Sequence, residues 1–288
     1  MRKFIIATLL ASTFSLSAQG EELIEPKAEK EKIILVGDAW CPYNCEPDTD
    51  EEGFLVDLMR EVFAEHDIEV EYKLVSFARA LKGTADGDFD AVMAPNKGES
   101  EGLVVPETYQ VISMYGIFKP SSIDWEYTGK ASLKDVTFGA IDGVDIWPFD
   151  KYIEDNKQDN KLVQISASSE SSKNMLKKLA KGRITAFMED TAVVNYYLKE
   201  LGLEAEVSPA GVGGLAVGKD GDFLYVCFSP KNPNAEKYAK ILSDGTKELT
   251  ESGRLDEIFA KYNFKRVTEE EYYEMEKKTE SLLEGLQD

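Results

Sequence analysis

Apolar residues along this chain switch between two spacings. Ile33-Ile34-Leu35-Val36 is a short continuous apolar run ending at Gly37, the pattern of a buried strand. From Phe54 to His66 the spacing changes. Leu55, Leu58, Met59, Val62 and Phe63 recur every three or four residues, which predicts a helix entered through Gly53. Val70 to Val75 alternates like a strand, Phe77 to Ala85 reads as a helix, and Phe89 to Met93 is again a strand. The same order then returns: strand Val136–Ile141, helix Ile146–Asn156, strand Leu162–Ile165, helix Lys173–Lys181, strand Ile184–Met188, helix Thr191–Leu201. Gly87-Asp88-Phe89-Asp90-Ala91-Val92-Met93 and Gly182-Arg183-Ile184-Thr185-Ala186-Phe187-Met188 share their Gly, Ala and Met in register. Strands alternating with helices predict parallel α/β units, and the repeat of the order predicts two of them.

Between the two series lies an extended apolar segment, Met114–Pro120, which is expected to cross from one lobe to the other. Leu224–Phe228 is the expected return. The pattern from Asn234 to Tyr262 is helical and breaks near Gly253. This divides the chain into a first lobe made of 31–118 and 229–266, a second lobe of 119–228, and an acidic C-terminal tail of 267–288. The tail reads either as a surface helix or as a frayed end.

The N-terminus adds a destination. Arg2 and Lys3 precede an uncharged run from Phe4 to Ala18, with small residues near a cut after Ala18 or Gly20. That is the layout of a secretory signal peptide over residues 1–20, and the run is shorter than the ~20 apolar residues a membrane span needs. With it removed, 31 basic residues face 54 acidic ones, a net charge near −23. Such a field repels nucleic acid and anionic lipid, so neither is an expected partner, and no direct insertion into a membrane is expected.

Export changes the reading of the cysteines. Cys41 and Cys45 lie four apart in Trp40-Cys41-Pro42-Tyr43-Asn44-Cys45, where an oxidising compartment favours a small disulfide loop. Zinc is the rival, but a second ligand pair is missing, since Cys227 stands alone and His66 is the sole histidine. Cys227 sits in an apolar run and reads as a buried thiol. Asp48–Gly53 begins like a calcium loop, but its twelfth position is Met59 rather than the required Glu. No metal site and no cofactor are expected.

In open α/β sheets ligands bind beyond the carboxyl ends of the strands. That rule selects Asp38, Trp40 and Tyr43 after the first strand, Phe77 and Arg79 after the second, and Asn96 and Lys97 after the third. In the second series it selects Gly143, Asp145 and Asp190, with Ser168, Ser169 and Glu189 in the same loops. Trp40 and Tyr43 read equally as core-capping aromatics. Arg79 opposes the dipole of its helix, a placement explained if it serves an anionic group. Asp190 reads both as an N-cap and as a ligand contact. Two such rims facing each other make an aromatic-walled cleft suited to a small polar solute. No Ser-His pair or metal cluster is readable, so catalytic residues are not expected and the chain does not read as an enzyme.

The order of motifs resembles the extracellular solute-binding proteins of family 3, the polar amino-acid-type periplasmic binding proteins of ABC transporters. The residues that carry it are Trp40-x-Pro42-Tyr43, Gly53-Phe54-x-Val56-Asp57-Leu58, Phe77-x-Arg79-Ala80-Leu81, Gly87-x-Phe89-Asp90-Ala91, Ser132-Leu133-Lys134-Asp135 and Leu249-x-x-x-Gly253-x-Leu255. The resemblance implies a type II, two-lobed periplasmic-binding-protein fold joined by two hinge strands. It also implies a monomer in the periplasm that closes on a solute and delivers it to an ABC transporter permease. Many relatives carry an Arg soon after the third strand that grips the solute's α-carboxylate. Here no Arg occurs from Ala94 through Tyr109, and Glu99 falls in its place. The resemblance leaves two other functions open on the same fold: a dehydratase acting on cyclic precursors of aromatic amino acids, with Glu189 or Asp190 as its acid, and a periplasmic sensor or adaptor working through the tail.

Overall fold

The computed structural model describes residues 30–144, 146, 149–211 and 219–284. The signal-peptide reading falls on residues 1–20, and Asp145 is a single position; both lie outside the described residues.

The first series folds as β1 (Lys32–Gly37), α1 (Phe54–Ala64), β2 (Glu69–Leu74), α2 (Phe77–Asp86) and β3 (Ala91–Val92). β1 lies between β2 and β3 and is parallel to both. Its apolar run is buried because helices cover it: Ile33, Leu35 and Val36 have no exposed surface. Gly53 sets the entry to α1. Its φ is +106°, and a Cβ there would stand 2.4 Å from the Tyr43 carbonyl oxygen, so only glycine fits.

The crossing comes slightly earlier than Met114–Pro120. β4 (Val111–Ile112) pairs with the much later β10 (Phe223–Leu224), and these two short antiparallel strands form the hinge. The segment expected to cross is mostly β5 (Tyr115–Pro120), which already belongs to the second sheet. That sheet is completed by β6 (Phe138–Ile141), β7 (Val163–Ser166), β8 (Ala186–Asp190) and β9 (Val207–Pro209), in the order β7-β6-β8-β5-β9. Helices α3 (Asp150–Asn156), α4 (Ser171–Ala180) and α5 (Thr191–Leu201) belong to the same unit. A short helix α6 (Lys219–Asp222) leads into β10, and β11 (Cys227–Phe228) re-enters the first sheet antiparallel to β3. Leu224–Phe228 therefore holds both the hinge return and an edge strand of the first sheet. Each piece is only two residues long, too short for a period to distinguish them.

Helices α7 (Ala235–Ser252) and α8 (Arg254–Lys261) pack on α1. Phe54 anchors this contact: its ring lies 4.4 Å from Phe259, 4.8 Å from Phe264 and 4.7 Å from Tyr43, centre to centre. Truncating such a buried ring costs about 3–5 kcal/mol. The acidic tail is a helix, α9 (Glu269–Glu284), and it docks on the hinge rather than fraying. Tyr272 is fully buried, stacks edge-on against Phe223 at 5.1 Å, and donates its hydroxyl to Asp222 Oδ2 at 2.9 Å.

Candidate functional site

The site begins where β1 ends. Asp38 to Cys45 fold into a tight turn in which the Trp40 N–H donates to the Asn44 carbonyl at 2.7 Å and the Tyr43 N–H donates to the Trp40 carbonyl at 2.9 Å. Cys41 and Cys45 form the disulfide that the sequence favoured over zinc, and Cys227 is buried and free. Trp40 stacks on Tyr43 with ring centres 4.0 Å apart, which points the indole N–H out of the first lobe. Asn44 donates its amide to the Asp38 carbonyl oxygen.

β8 brings the facing rim. Its last two residues are both acidic and both buried, and they do different work. Asp190 is the N-cap of α5: Oδ1 accepts from the Ala192 and Val193 N–H groups at 2.8 and 3.1 Å. Its Oδ2 accepts from Tyr43 Oη at 3.0 Å, Ser113 Oγ at 2.8 Å and the Met114 N–H at 2.9 Å. Five donors occupy this carboxylate, so Asp190 ties the N-terminus of α5 to Tyr43 on the facing rim and to Ser113 and Met114 next to β4. Glu189 accepts from Trp40 Nε1 at 2.9 Å, Ser172 Oγ at 2.5 Å and the Asp190 N–H at 2.8 Å.

The two rims are in contact. The Ala39 N–H donates to the Ser169 carbonyl at 2.6 Å, and Tyr197 Oη donates to the Ala39 carbonyl at 2.8 Å. Gly143, at φ +86°, lies so close that a Cβ would stand 3.0 Å from Ala78 Cα. Together with Trp40–Glu189 and Tyr43–Asp190, these contacts shut the lobes over a cavity.

That cavity measures about 50 Å³ and is bounded by Asp38, Trp40, Phe77, Glu99, Tyr115 and Glu189, with Met93, Ile141, Val144 and Met188 among the apolar remainder. At the ~10–15 Å³ a water needs, it holds a handful of them. No Lys, Arg or His borders it among the described residues. Asp38 is 7% exposed, and among the described residues its carboxyl accepts only its own backbone N–H. Burial pushes its pKa up to about 7. Burial also raises Glu189 to about 7, against the pull of its hydrogen bonds from Ser172 and Trp40. Tyr115 is driven well above its ordinary value by burial and by the nearby Glu99 carboxyl.

The expected site residues thus separate. Asp38, Trp40 and Phe77 border the cavity. Tyr43 stands behind Trp40 and reaches Asp190. Asn96 and Glu99 cap each other: the Asn96 N–H donates to Glu99 Oε2 and the Glu99 N–H donates to Asn96 Oδ1, both at 2.9 Å. Glu99, not Asn96, faces the cavity. Lys97 is exposed and pairs with Asp220 at 2.9 Å, beside the hinge. Arg79 is exposed on α2 and does not border the cavity, so the anion-binding role expected of it has no geometry behind it. Gly143 serves the contact between lobes. Glu189, Tyr115 and Ser172 complete the site, and Glu189 carried a signal: a carboxyl inside a wholly buried strand.

Two facing α/β lobes joined by an antiparallel strand pair, with a cavity between their rims, make this the type II periplasmic-binding-protein fold. Residues 33–101 match the model of the bacterial extracellular solute-binding proteins, family 3, so the resemblance drawn from the motifs holds over that stretch. A probable histidine-binding protein of Neisseria gonorrhoeae is 27% identical over 283 residues, covering 91% of this chain and 96% of that protein. Among solved structures, an ancestral arginine-binding protein bound to glutamine aligns with a TM-score of 0.64 at 17% identity, over 81% of this chain and 98% of its own. A protein of glutathione import in Streptococcus mutans aligns at 0.68 and 15% identity, over 85% and 100%. A histidine kinase sensor domain shares the fold at 0.64 and 17% identity, over 81% and 96%. Among the described residues no helix is long and apolar enough to cross a membrane.

Proposed function

We propose that this protein is a periplasmic solute-binding protein that shuts its lobes on a small, amine-bearing polar solute and delivers it to an ABC transporter permease. The observation that carries the reading is the pair of buried carboxyls, Asp38 from one lobe and Glu189 from the other, facing one aromatic-walled cavity. A buried carboxyl without a cation is held near neutrality by desolvation. An ammonium group supplies the missing charge, and it does so only when both lobes surround it. Closure is then a shift of population toward the state in which both carboxyls touch the solute. The family match over residues 33–101 and the similarity to a probable histidine-binding protein support the same reading.

Binding rather than turnover fits the way the acids are held. Asp190 has its acceptor sites filled by the hinge and by α5, and Glu189 is fixed by three donors. A thermal-shift screen with amino acids, amines, organic acids and sugars tests the proposal. A solute present at 100 times its Kd adds about 2.7 kcal/mol and raises the melting temperature by several degrees. Conversion of the solute to a product, followed by mass spectrometry, would instead identify an enzyme.

A further inference from the structure

The charges around the cavity define its guest more narrowly than an amine-bearing solute. Three carboxyls border it, from Asp38, Glu99 and Glu189, and among the described residues no cation does. Asp38 is more than nine-tenths buried, and among the described residues no side-chain donor or ion pair reaches its carboxyl. Its position on the cavity wall lets a bound solute, in place of the waters the cavity can hold, satisfy it. The Glu99 carboxyl is held at the wall by the Asn96 N–H, so it cannot swing away without breaking that reciprocal cap.

A zwitterion and a simple amine fare differently in such a place. The ammonium of either is attracted by the carboxyls, and Trp40, Phe77 and Tyr115 line the same space. The carboxylate of a zwitterion would enter a confined, poorly screened space with acids on its walls and no Arg fork or Lys to receive it. We propose that the cavity takes a compact organic ammonium ion that carries no carboxylate. This rests on the solute-binding reading given above and narrows it.

Matched pairs test it: histamine against histidine, cadaverine against lysine, agmatine against arginine and ethanolamine against serine, each by isothermal titration into the full chain at pH 8. In at least one pair the amine should bind tenfold or more tightly than its parent amino acid. Asp38→Asn should then weaken that amine tenfold or more while the protein remains folded by melting temperature. Amino acids that bind as tightly as their amines in every pair would overturn the inference and leave the solute-binding reading standing. So would an amine whose affinity is unchanged by Asp38→Asn. If none of these compounds binds but an organic acid or a sugar does, the inference fails together with the amine-bearing part of the solute-binding reading, and lobe closure on a solute alone stands. If no solute of any class binds, both fail together.

Discussion

Replacing Asp38 by Asn should stabilise the protein in alkaline solution while damaging its function. Burial lifts the Asp38 carboxyl from 3.8 to about 7 in the folded chain. A group whose folded pKa is raised adds stability below its unfolded pKa and loses it as pH rises through the folded one. About three pKa units correspond to about 4 kcal/mol set against the folded state at pH 8. The Asn Oδ1 can still accept from the residue-38 N–H, but its NH2 is a buried donor without an acceptor, at a cost of about 1–2 kcal/mol. The net gain is about 2–3 kcal/mol, or about 5–10 °C in melting temperature for a chain of this size. At pH 4.5 the folded carboxyl is neutral and the unfolded one mostly ionised, which sets only about 1 kcal/mol against the folded state, so the gain shrinks to less than about 1 kcal/mol. Calorimetry of both proteins at the two pH values reads the difference directly. A variant no more stable than the parent at pH 8, or one stabilised equally at both pH values, would refute the reasoning.

Other outcomes follow from the same contacts. Trp40→Phe keeps the stack on Tyr43 but removes the indole donor to Glu189, so solute affinity should fall about tenfold, in line with ~1.5 kcal/mol for a hydrogen bond to a charged group. Gly143→Ala places a methyl against Ala78 where φ is positive; titration should show weaker binding with the fold retained. Tyr272→Ala removes the fully buried ring that pins α9 to the hinge, and urea unfolding should report a loss of about 3 kcal/mol. Arg79→Ala should leave affinity within twofold, because the residue is exposed away from the cavity.

Much of this molecule is legible in the chain because its elements announce themselves by period. β1, α1, β2, α2 and their counterparts in the second series fall where the apolar spacing puts them. The hinge does not: β4 and β10 have two residues each, and a strand that short has no alternation to read. The docking of α9 is masked by its charge, although the Tyr272-Tyr273 pair within it marks a face with something to bury. At the site, Asp38, Trp40 and Phe77 from the strand-end loops border the cavity, as does Glu189 at the end of β8, while Asp190 beside it does not. Asp190 has the sequence position of a cap and a ligand contact alike, and only the five donors around it separate the two roles. Arg79 was inferred from an unfavourable place in the helix dipole, a weak force that an exposed side chain tolerates through solvent. Burial, which converts Asp38 and Glu189 from ordinary surface acids into groups that titrate near neutrality, has no signature in sequence without the fold.

The central claim is that two lobes shut on a solute held between Asp38 and Glu189. Spin labels at Lys82→Cys on α2 and Lys151→Cys on α3, both exposed and on opposite lobes, allow their separation to be measured by pulsed dipolar spectroscopy. Saturating solute should collapse the distances into one short, narrow population, and Asp38→Asn should abolish that response. A distance distribution indifferent to bound solute would contradict the account.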